Sequence, residues 1–186
     1  GYQALDAEDD GDFNTAIGYQ ALSAQTGVSG EVGNTAVGYQ AGLAVTTGAG
    51  NTIMGYHAGK TIADGGANVV IGSEAGKALL SGGANTIVGR HAAYSLTTGD
   101  DNIAIGTFAL YTGTTQSDNV AIGRAALQYI RGEDSVAVGY IAGAYATGSN
   151  NTFVGSQAGL GGTTSAPYSS GTNNVAVGYQ ALTAFT

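Results

Sequence analysis

The sequence has no cysteine and no tryptophan, and only one proline and one methionine in 186 residues. Without cysteine, the chain can form neither a disulfide framework nor a thiolate metal site, and the redox state of its compartment stays open. Its five cations are too few for the basic patch that binds nucleic acid or an anionic membrane surface, and the formal net charge is −8. No apolar run approaches the roughly 20 residues of a transmembrane helix. We therefore expect no nucleic-acid partner and no membrane insertion.

Glycine, in contrast, is abundant, and many of its 33 residues follow a repeat. The tetrad Gly-x-x-Ala occurs eleven times, mostly in steps of 17 residues, at Gly1, Gly18, Gly38, Gly55, Gly72, Gly89, Gly106, Gly123, Gly139, Gly155 and Gly178. Four residues before each of these glycines except the first stands a polar residue, at Asn14, Asn34, Asn51, Asn68, Asn85, Asn102, Asn119, Ser135, Asn151 and Asn174. We call this set the Asn column. Such a period is typical of a solenoid and is too short for a helix-pair repeat. It predicts one all-β repeat domain over residues 1–186, a parallel β-solenoid of about eleven coils.

Three apolar or β-branched residues follow each member of the Asn column and predict a short strand, as in Thr35-Ala36-Val37. We assign the third residue of each strand to the interior: Ile17, Val37, Met54, Ile71, Val88, Ile105, Ile122, Val138, Val154 and Val177. The middle residues then face the opposite side: Ala16, Ala36, Ile53, Val70, Ile87, Ala104, Ala121, Ala137, Phe153 and Ala176. A further apolar position predicts a second strand in each coil, at Val45, Ile62, Leu79, Leu96 and Ile130.

Both sides of the first strand are apolar, and a strand that is apolar on both sides is buried on both. A narrow coil has only one interior, so the other side needs a partner chain. A closed homotrimer is the preferred arrangement.

The Asn column is predicted to be structural. Consecutive side chains in register lie about 4.8 Å apart, where amides can form a hydrogen-bonded ladder. The position after the repeated Gly, which we call the tyrosine column, carries Tyr2, Tyr19, Tyr39, Tyr56, Tyr140 and Tyr179. Two interpretations of these tyrosines stay open, a stack of surface aromatics and a sugar-binding strip.

One stretch, Ser-Val-Ala-Val-Gly-Tyr-Ile-Ala-Gly-Ala-Tyr-Ala-Thr-Gly at Ser135–Gly148, resembles the head repeat of YadA-like trimeric autotransporter adhesins. The unit that begins Asn34-Thr-Ala-Val-Gly-Tyr-Gln-Ala-Gly42 is similar to repeats of phage tail-fibre proteins. The resemblance covers essentially the whole chain. It implies a left-handed parallel β-roll, three chains packed side by side, and an adhesive or spacer rod. The 17-residue period departs from the shorter adhesin unit, so the extra residues are expected to enlarge one turn.

Hexads such as Ile71-Gly-Ser-Glu-Ala-Gly76 also fit the unit of hexapeptide acyltransferases, which run three hexads in tandem per coil. This chain has one hexad per coil. We therefore expect no enzyme, no catalytic residue and no cofactor.

Two sets of side chains are weak candidates for a metal site. His57, Glu74 and His91 share one position in three consecutive coils, where either a metal or a Glu74–His pair fits. The acidic run, which comprises Asp6, Glu8, Asp9, Asp10 and Asp12, matches the first half of a calcium loop through Asp6, Glu8 and Asp10. Position twelve of that loop is Ile17 where glutamate is needed, so a solvated turn is the preferred interpretation.

Two insertions lengthen the repeat, one around Gly27 to Val32 and one that includes the only proline. Insertions in a solenoid protrude from one turn and often bind partners. Pro167 and Tyr168 are therefore candidates for a receptor-contacting loop, with an inert surface loop as the alternative.

These observations favour a non-enzymatic fibre segment, extracellular, on a cell surface or a virion, that contacts itself and a host receptor or glycan. A competing class is an ice-binding solenoid, which presents threonines such as Thr15, Thr35, Thr52, Thr86 and Thr152 in one column. Val69, Ile103, Val120, Val136 and Val175 interrupt that column. The chain opens and closes at the same phase of the repeat, which predicts a segment of a longer fibre or, as an alternative, subunits stacked end to end into a filament.

Overall fold

The fold was obtained as a computed structural model that describes residues 1–7, 11–26, 30–162 and 169–184. These residues form an all-β structure without a helix, so none of them belongs to a helix long and apolar enough to cross a membrane. The strands are β1 (Gly11–Asp12), β2 (Thr15–Ile17), β3 (Gly30–Glu31), β4 (Thr35–Val37), β5 (Thr52–Met54), β6 (Val69–Ile71), β7 (Thr86–Val88), β8 (Ile103–Ile105), β9 (Val120–Ile122), β10 (Val136–Val138), β11 (Thr152–Val154) and β12 (Val175–Val177).

Ten of these strands form one parallel sheet in the order β12-β11-β10-β9-β8-β7-β6-β5-β4-β2. The register is the same at each step, because equivalent repeat positions pair, as in Ala36 with Ile53 and Val37 with Met54. Each strand pairs with the strand of the next coil, so the chain completes a circuit of about 17 residues between neighbouring strands. The prediction of an all-β parallel solenoid with this spacing is confirmed. β1 and β3 form a separate two-stranded sheet.

The predicted orientation of the strands is wrong. The middle residues face the interior, and from Ala36 to Phe153 they are fully buried. The third residues face outward, since Ile17 is 58% and Val177 is 67% exposed. The buried Asn column explains the orientation: the Asn and the middle residue of the strand are two positions apart, and positions two apart in an extended chain lie on the same side.

A second strand in each coil is not found in the described ranges. Val45, Ile62, Leu79, Leu96 and Ile130 are buried as core residues, but they follow turns. Positive φ angles precede them, for example 53° at His57 and 50° at Gly59, and such angles are incompatible with an extended strand. In the described ranges the coils therefore have one three-residue strand each, to which β1 and β3 add a short second strand only at one end, and the core is completed by apolar side chains from the turns.

The repeated glycine that follows each strand allows the coils to stack closely. Gly38 has a φ of +141°, and a Cβ at this position would lie 2.5 Å from the carbonyl oxygen of Gly55 in the next coil. An L side chain is excluded both by this conformation and by this contact.

Candidate functional site

The Asn column forms a continuous ladder of hydrogen bonds through the interior. Its members from Asn34 to Asn151 are buried. In each coil the backbone N–H of the Asn-column residue donates to the side-chain oxygen of the preceding member of the column. The distance is 2.8 Å from Asn51 to Asn34 and 3.0 Å from Asn102 to Asn85. At Ser135 the Oγ takes the place of the amide oxygen and accepts from the N–H of Asn151 at 3.2 Å. The ladder runs without interruption from Asn14 to Asn174.

The amide nitrogens of the same column donate to the turn that faces them across the coil. The Nδ2 of Asn68 donates to the carbonyl of Gly82 at 2.9 Å and to the Oδ1 of Asn51 at 3.1 Å. Asn85 makes the equivalent bonds to Gly99 and Asn68. The column therefore joins each coil to its neighbour and also closes each coil on itself, which is a structural role.

His57, Glu74 and His91 lie side by side, and Glu74 forms ion pairs. Its Oε1 accepts from the Nζ of Lys77 at 2.9 Å, and its Oε2 lies 3.0 Å from the Nε2 of His91. The Nδ1 of His57 is further away, 3.8 Å from Oε1. The hydrogen bond from Lys77 lowers the pKa of Glu74 and raises the pKa of Lys77. Burial is the main cause that lowers the pKa of His57.

This geometry favours the Glu74–His pair over the metal site. Within the described ranges, no group of three His, Cys, Asp or Glu side chains is arranged to hold a metal ion. The ammonium of Lys77 is hydrogen-bonded to the carboxylate of Glu74, which a metal ion would need as a ligand. The sequence did not single out Lys77, although its position three residues after Glu74 was a signal for it.

Several candidates lie wholly or partly outside the described residues. They are Glu8, Asp9 and Asp10 of the acidic run, Pro167 and Tyr168 of the proposed receptor loop, and residues 27–29 of the first insertion. Asp6 lies in a described turn, and Asp12 belongs to β1. The calcium-loop and receptor-loop hypotheses therefore stay predictions.

The first tyrosines of the tyrosine column form a continuous stack on the surface. The ring centroids of Tyr2, Tyr19, Tyr39 and Tyr56 follow one another at 5.6, 5.1 and 5.5 Å, with interplanar angles of 8–19°. Ring faces in such a stack are covered by the neighbouring rings, whereas a sugar that stacks on tyrosine needs a free face. The geometry therefore favours the packing interpretation over the sugar-binding strip.

A second amide ladder lies beside the tyrosine stack, and the sequence analysis missed it. The Nε2 of Gln20 donates to Gln3 at 2.8 Å, and that of Gln40 donates to Gln20 at 2.8 Å. Gln180 and Gln157 form the same bond at the other end of the solenoid. The signal was the same residue type at the same repeat position, as in the Asn column.

The exposed apolar side chains are concentrated on one side of the molecule. We call the first and third residues of β2 and β4–β12 the outer face. Sixteen large apolar side chains are exposed in the described part of the chain, and thirteen of them lie on the outer face or in the adjoining tyrosine column. The outer face carries no charged residue. It is an uncharged strip along the solenoid, apolar except for the five threonines of its first column.

The features described above are ladders and surfaces, and no pocket is found in the described part of the chain. The arrangement offers a long apolar strip bordered by aromatic and amide side chains, which suits contact with another extended surface. In comparisons with known proteins, no family model, no curated protein and no solved structure matches this chain.

Proposed function

We propose that the chain is a non-enzymatic structural and adhesive rod, a segment of an extracellular fibre on a bacterial surface or a phage tail. The observation that carries the proposal is the outer face, whose residues carry no charge on any of the ten strands of the sheet and include exposed apolar side chains on β2, β5, β8, β11 and β12. Large contiguous apolar surface on a soluble protein marks an interaction site. The buried Asn ladder and the Gln ladder at the surface support a mechanical role, because they join successive coils by repeated hydrogen bonds.

The partner proposed for the outer face is the chain itself. In this proposal the solenoid is a left-handed roll of about eleven coils, counted from the repeats, and three copies pack side by side with their outer faces toward a common axis. Side chains such as Met54 and Ile105, which are exposed in the single chain, become buried in the trimer. Burial of apolar area in this way is favourable by about 25 cal/mol per Å².

Adhesion is the second part of the proposal, with a host receptor or glycan as the partner. The insertion around Pro167 and Tyr168 is the proposed contact, because it is the longer of the two insertions in the repeat and loops carry binding residues more often than regular elements do. Binding of the chain to a panel of immobilised host glycans tests this part. Binding that survives deletion of residues 163–168 contradicts the assignment to that loop.

The proposed trimer is tested by measuring the mass of the assembly by light scattering in native buffer. The proposal expects three times the chain mass of 18.3 kDa, and a mass equal to a single chain contradicts it.

One observation favours ice binding as a second candidate. Thr15, Thr35, Thr52, Thr86 and Thr152 lie on the outer face, where a regular parallel sheet holds them in one column. Val69 and the other aliphatic residues of that column interrupt the array. An ice-recrystallisation assay separates the two functions. Inhibition at micromolar protein that is lost in Thr86→Lys supports ice binding, and no inhibition contradicts it.

A further inference from the structure

The two long borders of the outer face carry mainly opposite charges, although Arg131 is an exposed cation on the border where acids predominate. The border that precedes the strands contains five acids in three consecutive coils, Asp100, Asp101, Asp118, Glu133 and Asp134, which we call the acidic edge. The border that follows the strands carries two cations in the tyrosine column, Arg90 and Arg124, which we call the arginine edge. Acids stacked about 4.8 Å apart repel one another, so the acidic edge costs free energy in a single chain.

The charged residues of both edges are accessible to solvent, and Asp100 also accepts from the N–H of Gly83 at 2.7 Å. All five acids and both arginines are exposed. Every ion pair found among the described residues involves Glu74, so neither edge has an ionic partner there. Arg90 lies over the ring of Phe108, and Arg124 lies over Tyr140, whose hydroxyl accepts from Nη1 at 3.3 Å. These ring contacts hold the arginines in place without neutralising them.

The two edges also match in height along the solenoid. Arg90 lies two residues after the end of β7, and Arg124 lies two residues after the end of β9. The acids precede β8, β9 and β10. Each arginine is therefore no more than one strand spacing, about 5 Å, above or below an acid on the opposite border, which is within the reach of an arginine side chain.

Symmetry decides which edges meet when two outer faces come together. A rotation about an axis parallel to the solenoid keeps the copies parallel and brings the acidic edge of one copy to the arginine edge of the next. It also keeps equal heights opposite each other, as closed cyclic symmetry requires. A rotation that makes the copies antiparallel brings acid to acid, and like charges juxtaposed at an interface are unfavourable.

We infer that parallel copies of this chain associate through their borders, with Arg90 and Arg124 of one copy paired with the acidic edge of the next. The inference rests on the self-association proposed above and adds the pairs that set its direction. The partner is a second copy of the chain because it offers the complementary charge at the matching height on the same apolar strip. The ion pairs border the apolar contact, where charges chiefly determine orientation and specificity.

A charge-swap experiment on the full chain tests this inference. The variants are Arg124→Glu, Asp118→Lys, which changes the acid at the same height as Arg124, and the double variant, and the readout is the dissociation constant of the assembly from sedimentation velocity. We expect each single variant to weaken assembly about tenfold or more, because a repulsive pair replaces an attractive one in every interface of the ring. The double variant restores the attraction with reversed signs, and we expect it to return to within about threefold of the original chain.

Lys60→Glu is the matched control, because it makes the same change in net charge at a cation outside both edges. Circular dichroism melting establishes that each variant is folded, and a rise from about 50 to 500 mM salt provides an independent measurement on the unmodified chain, which we expect to assemble more weakly. If the unmodified chain is a monomer, the proposed self-association fails together with this inference. If the chain assembles but Arg124→Glu behaves like Lys60→Glu, or the double variant is no tighter than the single ones, only this inference is overturned.

Discussion

At the scale of single residues, most coils keep the volume of the core by exchanging size between two positions. In the β4 and β10 coils both positions are small, and side chains of the neighbouring coils, such as Phe153 next to Gly143, fill the space. In β11 the middle residue is Phe153, and the residue six positions later is Gly159, whose Cβ would fall on the phenyl ring. In β8 the middle residue is Ala104 and the later position is Leu110. Both later positions have positive φ, 57° at Gly159 and 52° at Leu110. The same backbone therefore accepts either a large middle residue or a large later one.

This exchange predicts a rescue between two destabilising substitutions. Gly159→Leu overpacks the site and is expected to cost about 1–3 kcal/mol, and Phe153→Ala leaves a cavity and is expected to cost about 3–5 kcal/mol. The double variant recreates the Ala–Leu pair of the β8 coil, so its loss should be smaller than that of Phe153→Ala alone. Urea denaturation of all three variants measures this. A double variant whose loss equals the sum of the two single losses contradicts the exchange.

The pKa of His57 predicts a dependence of stability on pH. Because burial lowers this pKa below its ordinary value of 6.5, the folded chain binds fewer protons there than the unfolded chain. The contribution of His57 to the free energy of unfolding is therefore fully present above about pH 6.5, and it is lost as the pH falls toward the lowered pKa of His57. Thermal melts between pH 7.5 and 5 should show a decline. His57→Gln places the residue found in the preceding coil, Gln40, at this position and should flatten the curve. An unchanged decline in that variant excludes His57 as its cause.

At the scale of the element, the Asn column determines how the strands are oriented. Asn85 accepts from the N–H of Asn102 at 3.0 Å and from its Nδ2 at 3.1 Å, and it donates to Gly99 at 2.9 Å. Loss of a buried partner leaves these groups without hydrogen bonds, at a cost of about 1–3 kcal/mol for each group. A polar side chain with these partners has to point inward.

The ladder therefore predicts different losses for two truncations of Asn85. Asn85→Ala removes both the acceptor and the donor and should destabilise the chain by about 2–4 kcal/mol. Asn85→Ser keeps a hydroxyl acceptor for the next N–H, as Ser135 does at 3.2 Å to Asn151, and should cost less. Chemical denaturation compares the two, with amide hydrogen exchange at Asn102 as a local readout. Equal losses would contradict the prediction, because they would mean that a hydroxyl at position 85 does not replace the amide acceptor of the ladder.

The sequence predicted the elements better than their orientation. The strand positions, the spacing and the core positions such as Ile62 and Leu79 followed from the repeat and from apolar character. The orientation was missed because both sides of a strand such as Val69-Val70-Ile71 are apolar, and hydrophobicity alone does not distinguish them. The Asn two positions before the middle residue would have decided it. The prediction of a second strand was wrong because residues such as Gln40 and His57 have positive φ angles. Unlike glycine, these residue types do not indicate a turn in the sequence.

At the scale of the whole molecule, the solenoid is a one-dimensional stack in which a coil contacts its neighbours. Such a stack buries its core completely, and its outer face is left apolar by the same strands. From the sequence, the candidate site could be predicted only in outline. The strand has two apolar columns and the coil has one interior, so one column was predicted to contact a partner. Which column it was depended on the direction of the buried Asn. The complementary charges of the two borders could be recognised only when the register placed them within one strand spacing of each other.

The outer face predicts that an exposed apolar residue on it matters for assembly and not for folding of the single chain. Ile105 lies in the third position of β8 and is 36% exposed, whereas Leu80 is 47% exposed and lies outside the outer face. Ile105→Lys should place a charge in the apolar contact and convert the assembly to a mass of 18.3 kDa. Leu80→Lys, which makes the same kind of change on another side, should leave the assembled mass unchanged. Light scattering measures both masses.

Because the side chain of Ile105 contributes less to the core than a fully buried residue, the far-ultraviolet circular dichroism of the variant should remain that of a β structure. If Leu80→Lys dissociates the assembly and Ile105→Lys does not, the contact lies on a different side of the solenoid.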